Sequence, residues 1–273
     1  MKIIIQCIAP ADDVLLIFPA LEALKNRDPQ IQIHVLTSRQ GQAILETHPC
    51  VSKTVESTKI SDFNFFVLKD MYHKLKKEKY DLAISMKRSW IIEAMMKVLN
   101  IRHRIGHDNG IVSRWLLTKA IWHDKHDITL HQEQINMKLL TPLQLEKATR
   151  TRRVYIHQAR TKQLAEKLKK QFKNRKKTIF IDLSKTTDEK DQNHQLFKKL
   201  HKLGEYNFIL AMGRSTTLVK VTSLKGVFAL NTKDIFQDYV SALYLSDYVI
   251  GEELLFMRLA AYLGKKSLIR LAP

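Results

Sequence analysis

Apolar residues along this chain fall in short unbroken runs, separated by stretches in which they recur every three or four positions. The first run, residues 2–8, stops at Ala9-Pro10-Ala11, and two carboxylates, Asp12 and Asp13, follow. Val14, Leu15, Leu16, Phe18, Leu21 and Leu24 then keep helical spacing, and a second run at 31–36 completes a strand–helix–strand unit. That unit sets the Asp12/Asp13 turn at the carboxyl end of the first strand, the edge at which open α/β sheets bind ligands.

The rhythm continues. Residues 52–69 are mixed and hold a short strand and a loop. A basic helix is predicted over 71–79, a strand over 80–85, a helix over 90–99, a strand and turn over 102–106, and a helix over 132–140. Residues 150–157 read as a strand and 159–177 as a polar helix with sparse apolar positions at Leu164, Leu168 and Phe172. A clean strand at 178–183 restarts the pattern. It leads to a helix over 189–203, strands at 206–212 and 227–230, a helix over 234–245, a strand at 247–250, a helix over 254–263 and a last strand at 267–271. Alternating strands and helices argue for parallel sheets. The two restarts, at 2 and near 178, divide the chain into Rossmann-like α/β domains at 1–150 and 151–273, with the crossing near 141–160.

Composition narrows the class. The 273 residues suit two ordinary domains. No apolar stretch approaches the ~20 residues that span a bilayer. The amino terminus does not read as a signal peptide, because its apolar run is short and acids follow it. Cys7 and Cys50 are too few and too far apart for a disulfide framework or a zinc site, so a reducing cytoplasm is expected. The formal net charge of +19 favours phosphate-bearing partners, whether nucleic acid, anionic lipid or nucleotide. No RNA- or DNA-binding motif is present, and no nucleic-acid partner is expected. His123, His126 and His131 lack the spacing of a zinc helix and have no nearby Cys, so no metal is expected either.

The front of the chain resembles the bacterial lipopolysaccharide heptosyltransferases, the family 9 glycosyltransferases. The resemblance rests on Asp12-Asp13-Val14-Leu15-Leu16, Pro19-Ala20-Leu21, Leu24-Lys25 and the turn His48-Pro49-Cys50-Val51. Tyr80-Asp81-Leu82-Ala83-Ile84-Ser85 and Arg102-His103-Arg104-Ile105-Gly106 are similar to later strands of the same family. The family's usual Gly of the first turn is Asp12 here. The resemblance implies a GT-B fold, two Rossmann-like domains facing across a cleft, and an inverting transfer of heptose or a related sugar. The donor would be ADP-heptose or similar, the acceptor a phosphorylated lipopolysaccharide core at the inner-membrane surface, and no cofactor is implied. The protein would be cytoplasmic or peripheral on the inner face of that membrane.

Inverting transfer needs one base for the acceptor hydroxyl. The family's turn Asp maps to Asp13; an Asp between strand and helix is also an ordinary N-cap. The leaving diphosphate needs cations or N–H groups. The resemblance assigns these to Ser184, Lys185, Thr186 and Lys190 after the 178–183 strand, a stretch that reads equally as a capped helix start. The family's later Asp-Thr/Ser-Gly…His signature aligns with Glu253-Leu254-Leu255-Phe256-Met257-Arg258. Glu253 keeps a carboxylate and Arg258 a cation for phosphate, whereas Leu255 stands where Gly lets backbone approach the donor. Asp12, Lys74, Lys76, Lys77, Arg88 and His126 are assigned to the acceptor side. The family continues past residue 271 with a tail that is absent from this sequence. The departures leave a second reading open, a non-catalytic basic binding or scaffold relative on the same fold.

Overall fold

The computed structural model describes residues 1–57, 65–123, 130–145, 153–183, 192–212, 224–230 and 236–269. The chain divides into two compact units, Met1–Arg152 and Arg153–Pro273.

The first unit holds a six-stranded parallel sheet, β1 (Lys2–Cys7), β2 (Gln32–Thr37), β3 (Lys53–Glu56), β4 (Leu82–Ser85), β5 (His103–His107) and β6 (Lys119–Ile121). The strand order is β3-β2-β1-β4-β5-β6, and every pair is parallel. Ile3, Ile4 and Ile5 are each at most 1% exposed. Successive strand residues face opposite sides, so β1 is covered on both faces, and this is why its sequence runs apolar without alternating. The order reverses between β1 and β4, so their carboxyl ends flank the switch point of the sheet.

A helical stretch follows β1 directly: α1 (Ala11–Val14), a 3₁₀ turn at Leu15–Ile17 and α2 (Phe18–Arg27). Val14, Leu15, Leu16, Ile17 and Phe18 are all buried, which anchors this segment against the sheet. Further helices are α3 (Arg39–Leu45), α4 (Phe65–Lys76), α5 (Trp90–Val98), α6 (Ile111–Leu116) and α7 (Gln132–Lys138).

The second unit has five parallel strands, β7 (Thr178–Leu183), β8 (Asn207–Met212), β9 (Val227–Leu230), β10 (Tyr248–Gly251) and β11 (Lys266–Ile269), in the order β11-β10-β7-β8-β9. Its helices are α8 (Gln158–Gln171), α9 (Gln192–Leu203), α10 (Phe236–Leu245) and α11 (Leu254–Tyr262). Phe197 of α9 meets Phe208 of β8 edge-on at 5.3 Å in a core with Ile179, Ile181, Leu183 and Leu210. The switch point of this sheet lies between β7 and β10.

Two expectations need correction. The strand read at 150–157 does not form over its described part, because residues 153–157 carry no regular structure. Its β-branched and aromatic residues fit a pleated surface, but a strand also needs a partner, and β9 and β11 form the sheet's edges without it. In compensation the first sheet gains β6, too short at three residues to show a pattern in the sequence. The helix read over 159–177 ends at Gln171, where Phe172 turns extended.

Candidate active site

At the carboxyl end of β1 the chain turns through Ala9 and Pro10 into α1. The N-cap of α1 is Pro10, with no side-chain cap bond, so neither Asp12 nor Asp13 serves as the N-cap; both stand in the first turn. There their charge complements the helix N-terminus. The Asp13 backbone N–H donates to the Pro10 carbonyl at 3.0 Å. Its carboxylate Oδ2 accepts from Lys87 Nζ at 2.7 Å, with both side chains 25% exposed.

Lys87 is held in place by the sheet. Its backbone N–H and the Ser85 hydroxyl both donate to Gln6 Oε1 at 3.1 Å, and Met86 N–H donates to the Gln6 carbonyl at 2.9 Å. The β1–β4 ladder therefore extends past its last strand residues and delivers the ammonium to the turn. Cys7 lies beneath. Burial pushes its thiol up to about 12, opposed by the Lys87 charge and assisted by that of Asp13. A thiol so held is neutral and no nucleophile at physiological pH.

On β5, next along the same edge, His107 is 4% exposed. Burial pushes its imidazole down to about 4, the Met86 carbonyl opposes this, and His123, Arg88 and Lys87 add to it. The ring is therefore neutral at pH 7. The Met86 carbonyl, 3.1 Å from Nε2, can only accept, so the proton is on Nε2. Nδ1 then accepts from His123 Nε2 at 2.7 Å. Asp13, Lys87, Arg88, His107 and His123 thus share one edge of the first sheet.

The other acceptor-side candidates distribute differently. Lys74 pairs with Asp70 at 2.6 Å on the exposed face of α4, and Lys76 lies over the Tyr72 ring at 5.2 Å. Lys77 follows them, and the next residue, Glu78, meets Lys2 at 2.9 Å and Lys53 at 2.6 Å at the amino ends of β1 and β3. These lysines therefore lie toward the opposite edge of the sheet from Asp13. A helix that precedes a parallel strand must end where that strand begins. His126 lies outside the described residues. His131 caps α7, its Nδ1 accepting from Glu133 N–H at 3.3 Å while Gln134 reaches back to the His131 N–H. His48 is buried edge-on against Phe18 at 4.4 Å, and burial pushes it down to about 4, so its turn is part of the core.

In the second unit Ser184, Lys185, Thr186 and Lys190 fall outside the described residues. Glu253 is the N-cap residue of α11, and its backbone N–H donates to Asp182 Oδ2 at 3.2 Å. Asp182, 3% exposed near the end of β7, was not singled out from sequence, although a carboxylate in the run Thr178–Leu183 was the visible signal. Gly251 makes room for it: a Cβ there would sit 2.7 Å from the Asp182 Cβ. Leu254 is 49% exposed at the start of α11, Phe256 and Met257 are buried, and Arg258 stands partly exposed one turn on. Among the described residues no three His, Cys, Asp or Glu side chains cluster to hold a metal ion. No described helix is long and apolar enough to cross a membrane.

The profile of glycosyltransferase family 9 (heptosyltransferase) matches residues 69–225. Lipopolysaccharide heptosyltransferase 3 of Escherichia coli is 27% identical over 139 residues, covering 48% of this chain and 39% of that protein. The match therefore spans well under half the length of that curated relative. Among solved structures, the family 9 glycosyl transferase of Veillonella parvula DSM 2008 superposes with a TM-score of 0.78 at 15% identity, over 97% of this chain and 79% of that one. E. coli heptosyltransferase WaaC with ADP gives 0.71 at 15% identity, over 98% and 86%. E. coli ADP-heptose lps heptosyltransferase II gives 0.68 at 16%, over 98% and 83%. At these identities the likeness establishes the fold, that of the GT-B heptosyltransferases.

Proposed function

The chain belongs to glycosyltransferase family 9 (heptosyltransferase), and on that premise we propose that it moves a heptose or related sugar from ADP-heptose, or a similar nucleotide sugar, to a phosphorylated lipopolysaccharide core acceptor. The transfer is inverting and uses no metal. The observation that carries this reading is the Asp13–Lys87 pair at the carboxyl end of β1, on the turn that resembles the family's.

Asp13 takes the proton of the acceptor hydroxyl as that oxygen bonds to the anomeric carbon. The bond from that carbon to the diphosphate oxygen breaks on the opposite face, and the nucleoside diphosphate leaves with the electron pair. Lys87 fixes the carboxylate in position, and a 1 Å misplacement of a reacting group is enough to cost much of the rate. The first unit receives the acceptor, with Asp12, Arg88 and His126 on its side. The second receives the donor. Ser184, Lys185, Thr186 and Lys190 are its diphosphate-binding residues, together with Glu253 and Arg258. Lys74, Lys76 and Lys77, set away from Asp13, suit contact with the anionic inner face of the membrane, where each cation near the surface contributes ~1 kcal/mol.

The half-exposed Leu254 at the head of α11 favours a second reading, a non-catalytic relative that keeps the fold. Calorimetric titration with ADP and ADP-heptose separates the two. Saturable binding supports the transferase. Undetectable binding of every nucleotide sugar tried rejects it in favour of the non-catalytic reading.

A further inference from the structure

The pairing of β1 with β4 ends at Gln6 and Ser85. Met86 and Lys87 follow, and all of their backbone polar groups are engaged. One bond still belongs to the ladder, from Met86 N–H to the Gln6 carbonyl at 2.9 Å. The other three go to side chains. Lys87 N–H donates to Gln6 Oε1 at 3.1 Å, His107 Nε2–H donates to the Met86 carbonyl at 3.1 Å, and the Ser85 hydroxyl donates to the Lys87 carbonyl at 2.9 Å. Gln6, Ser85 and His107 come from β1, β4 and β5 and are all buried. Where the partner strand runs out, buried side chains take over its bonds.

Gln6 is the informative residue. Its neighbours Ile5 and Cys7 are fully buried, and an amide in such a place carries a desolvation cost that an aliphatic residue would avoid. A backbone N–H can only donate, so the atom that faces Lys87 N is the amide oxygen. That oxygen has two lone pairs and two donors within reach, Lys87 N–H and the Ser85 hydroxyl, each at 3.1 Å. The single Ser85 proton is shared between Gln6 Oε1 and the Lys87 carbonyl. Gln6 thus supports the segment twice, through its carbonyl and through its amide oxygen.

What these bonds fix is the root of Lys87. Its ammonium rides on a flexible four-carbon stem. It meets Asp13 Oδ2 at 2.7 Å, and a stem that starts from one place returns its tip to that oxygen with little loss of freedom.

We propose that Gln6, with Ser85 and His107, is a positioning residue: it holds residues 86–87 so that Lys87 meets Asp13. That Asp13 is the base rests on the transferase reading; the placement of Lys87 does not.

The test begins without substrates. The protein is acetylated with an N-hydroxysuccinimide ester, and the rate at Lys87 is read by mass spectrometry, with Lys53 as the reference. An amine engaged with a carboxylate labels more slowly than one free in solvent. Gln6→Met keeps the length of the side chain and removes the acceptor. Lys87 should then label at least about threefold faster, as it should in Asp13→Asn, with Lys53 unchanged. Ser85→Ala is the milder variant, expected to give about a twofold rise, and it decides the matter if Gln6→Met does not fold. An unchanged Lys87 rate in the folded variant overturns the proposal, and so does an equal rise at Lys53, which reports general loosening. In a transfer assay Gln6→Met should lower kcat about tenfold with both KM values held. Added to Lys87→Met it should lower kcat no further, because it acts through that residue. If labelling changes as described and the unmodified protein transfers no sugar, the transferase reading fails and the placement of Lys87 stands. If transfer proceeds and Gln6→Met leaves kcat unchanged, or lowers it equally in the Lys87→Met background, the positioning role fails and the transferase reading stands.

Discussion

The two sheets of this protein reverse their strand order at equivalent places, and they treat those places differently. At the β1/β4 switch point the charged groups point outward: Asp13 and Lys87 are each 25% exposed and paired at 2.7 Å. At the β7/β10 switch point the corresponding carboxylate, Asp182, is 3% exposed and accepts from the Glu253 backbone at 3.2 Å. The residue presented to solvent there is Leu254. One edge keeps its acid partly exposed in an ion pair. The other uses its acid to seat a helix. Fold alone therefore says where a ligand can dock, and the placement of a few ionisable side chains says which half can do acid–base chemistry.

Removing the buried acid of the second edge should produce the largest change in stability. Asp182→Ala leaves the Glu253 N–H without its acceptor and opens space beneath Gly251. A loss of about 2 kcal/mol in urea unfolding is expected. An unchanged midpoint would show that Asp182 is not structural, and the contrast between the edges would collapse.

A smaller effect is expected at Arg258. If phosphate attraction in the second unit depends on cations, Arg258→Ala should weaken ADP binding about tenfold, or ~1.4 kcal/mol. The loss should be greater at low salt, where charge is least screened. Binding that ignores both the substitution and the salt would remove Arg258 from the donor side.

The smallest effect concerns the amino edge of the first sheet, away from Asp13. Hydrogen bonds from Lys53 and then Lys2 hold the Glu78 carboxyl at about 2, well below its ordinary 4.5. The folded state therefore favours the ionised form. The stabilisation is complete above the unfolded value of 4.5 and is lost as pH falls toward 2. Solvent screening limits it to about 1 kcal/mol. Glu78→Gln should lower stability by that amount at pH 7 and by nothing near pH 2, with transfer unaffected. A change in transfer would place this edge in the site after all.

Much of this was legible in the sequence, for identifiable reasons. Strands β1, β2, β4, β7, β8 and β10 are nearly all buried on both faces and so appear as unbroken apolar runs. The edge strand β6 is too short to carry a pattern, and 153–157 carries strand-like residues with no neighbouring strand to pair with. Asp13 was legible because its turn is local. Its partner was not: Lys87 lies 74 residues away, and only the sheet register brings them together.

The central claim is that the proton of the acceptor hydroxyl goes to the first edge. Its most direct test is turnover at saturating donor and acceptor, followed by mass spectrometry of the glycosylated acceptor, for the unmodified protein and for Asp13→Asn. The substitution keeps the shape of the side chain and removes the base. The account predicts a fall in kcat of about 10³-fold with the fold retained by circular dichroism. Normal turnover by a folded Asp13→Asn protein would contradict it.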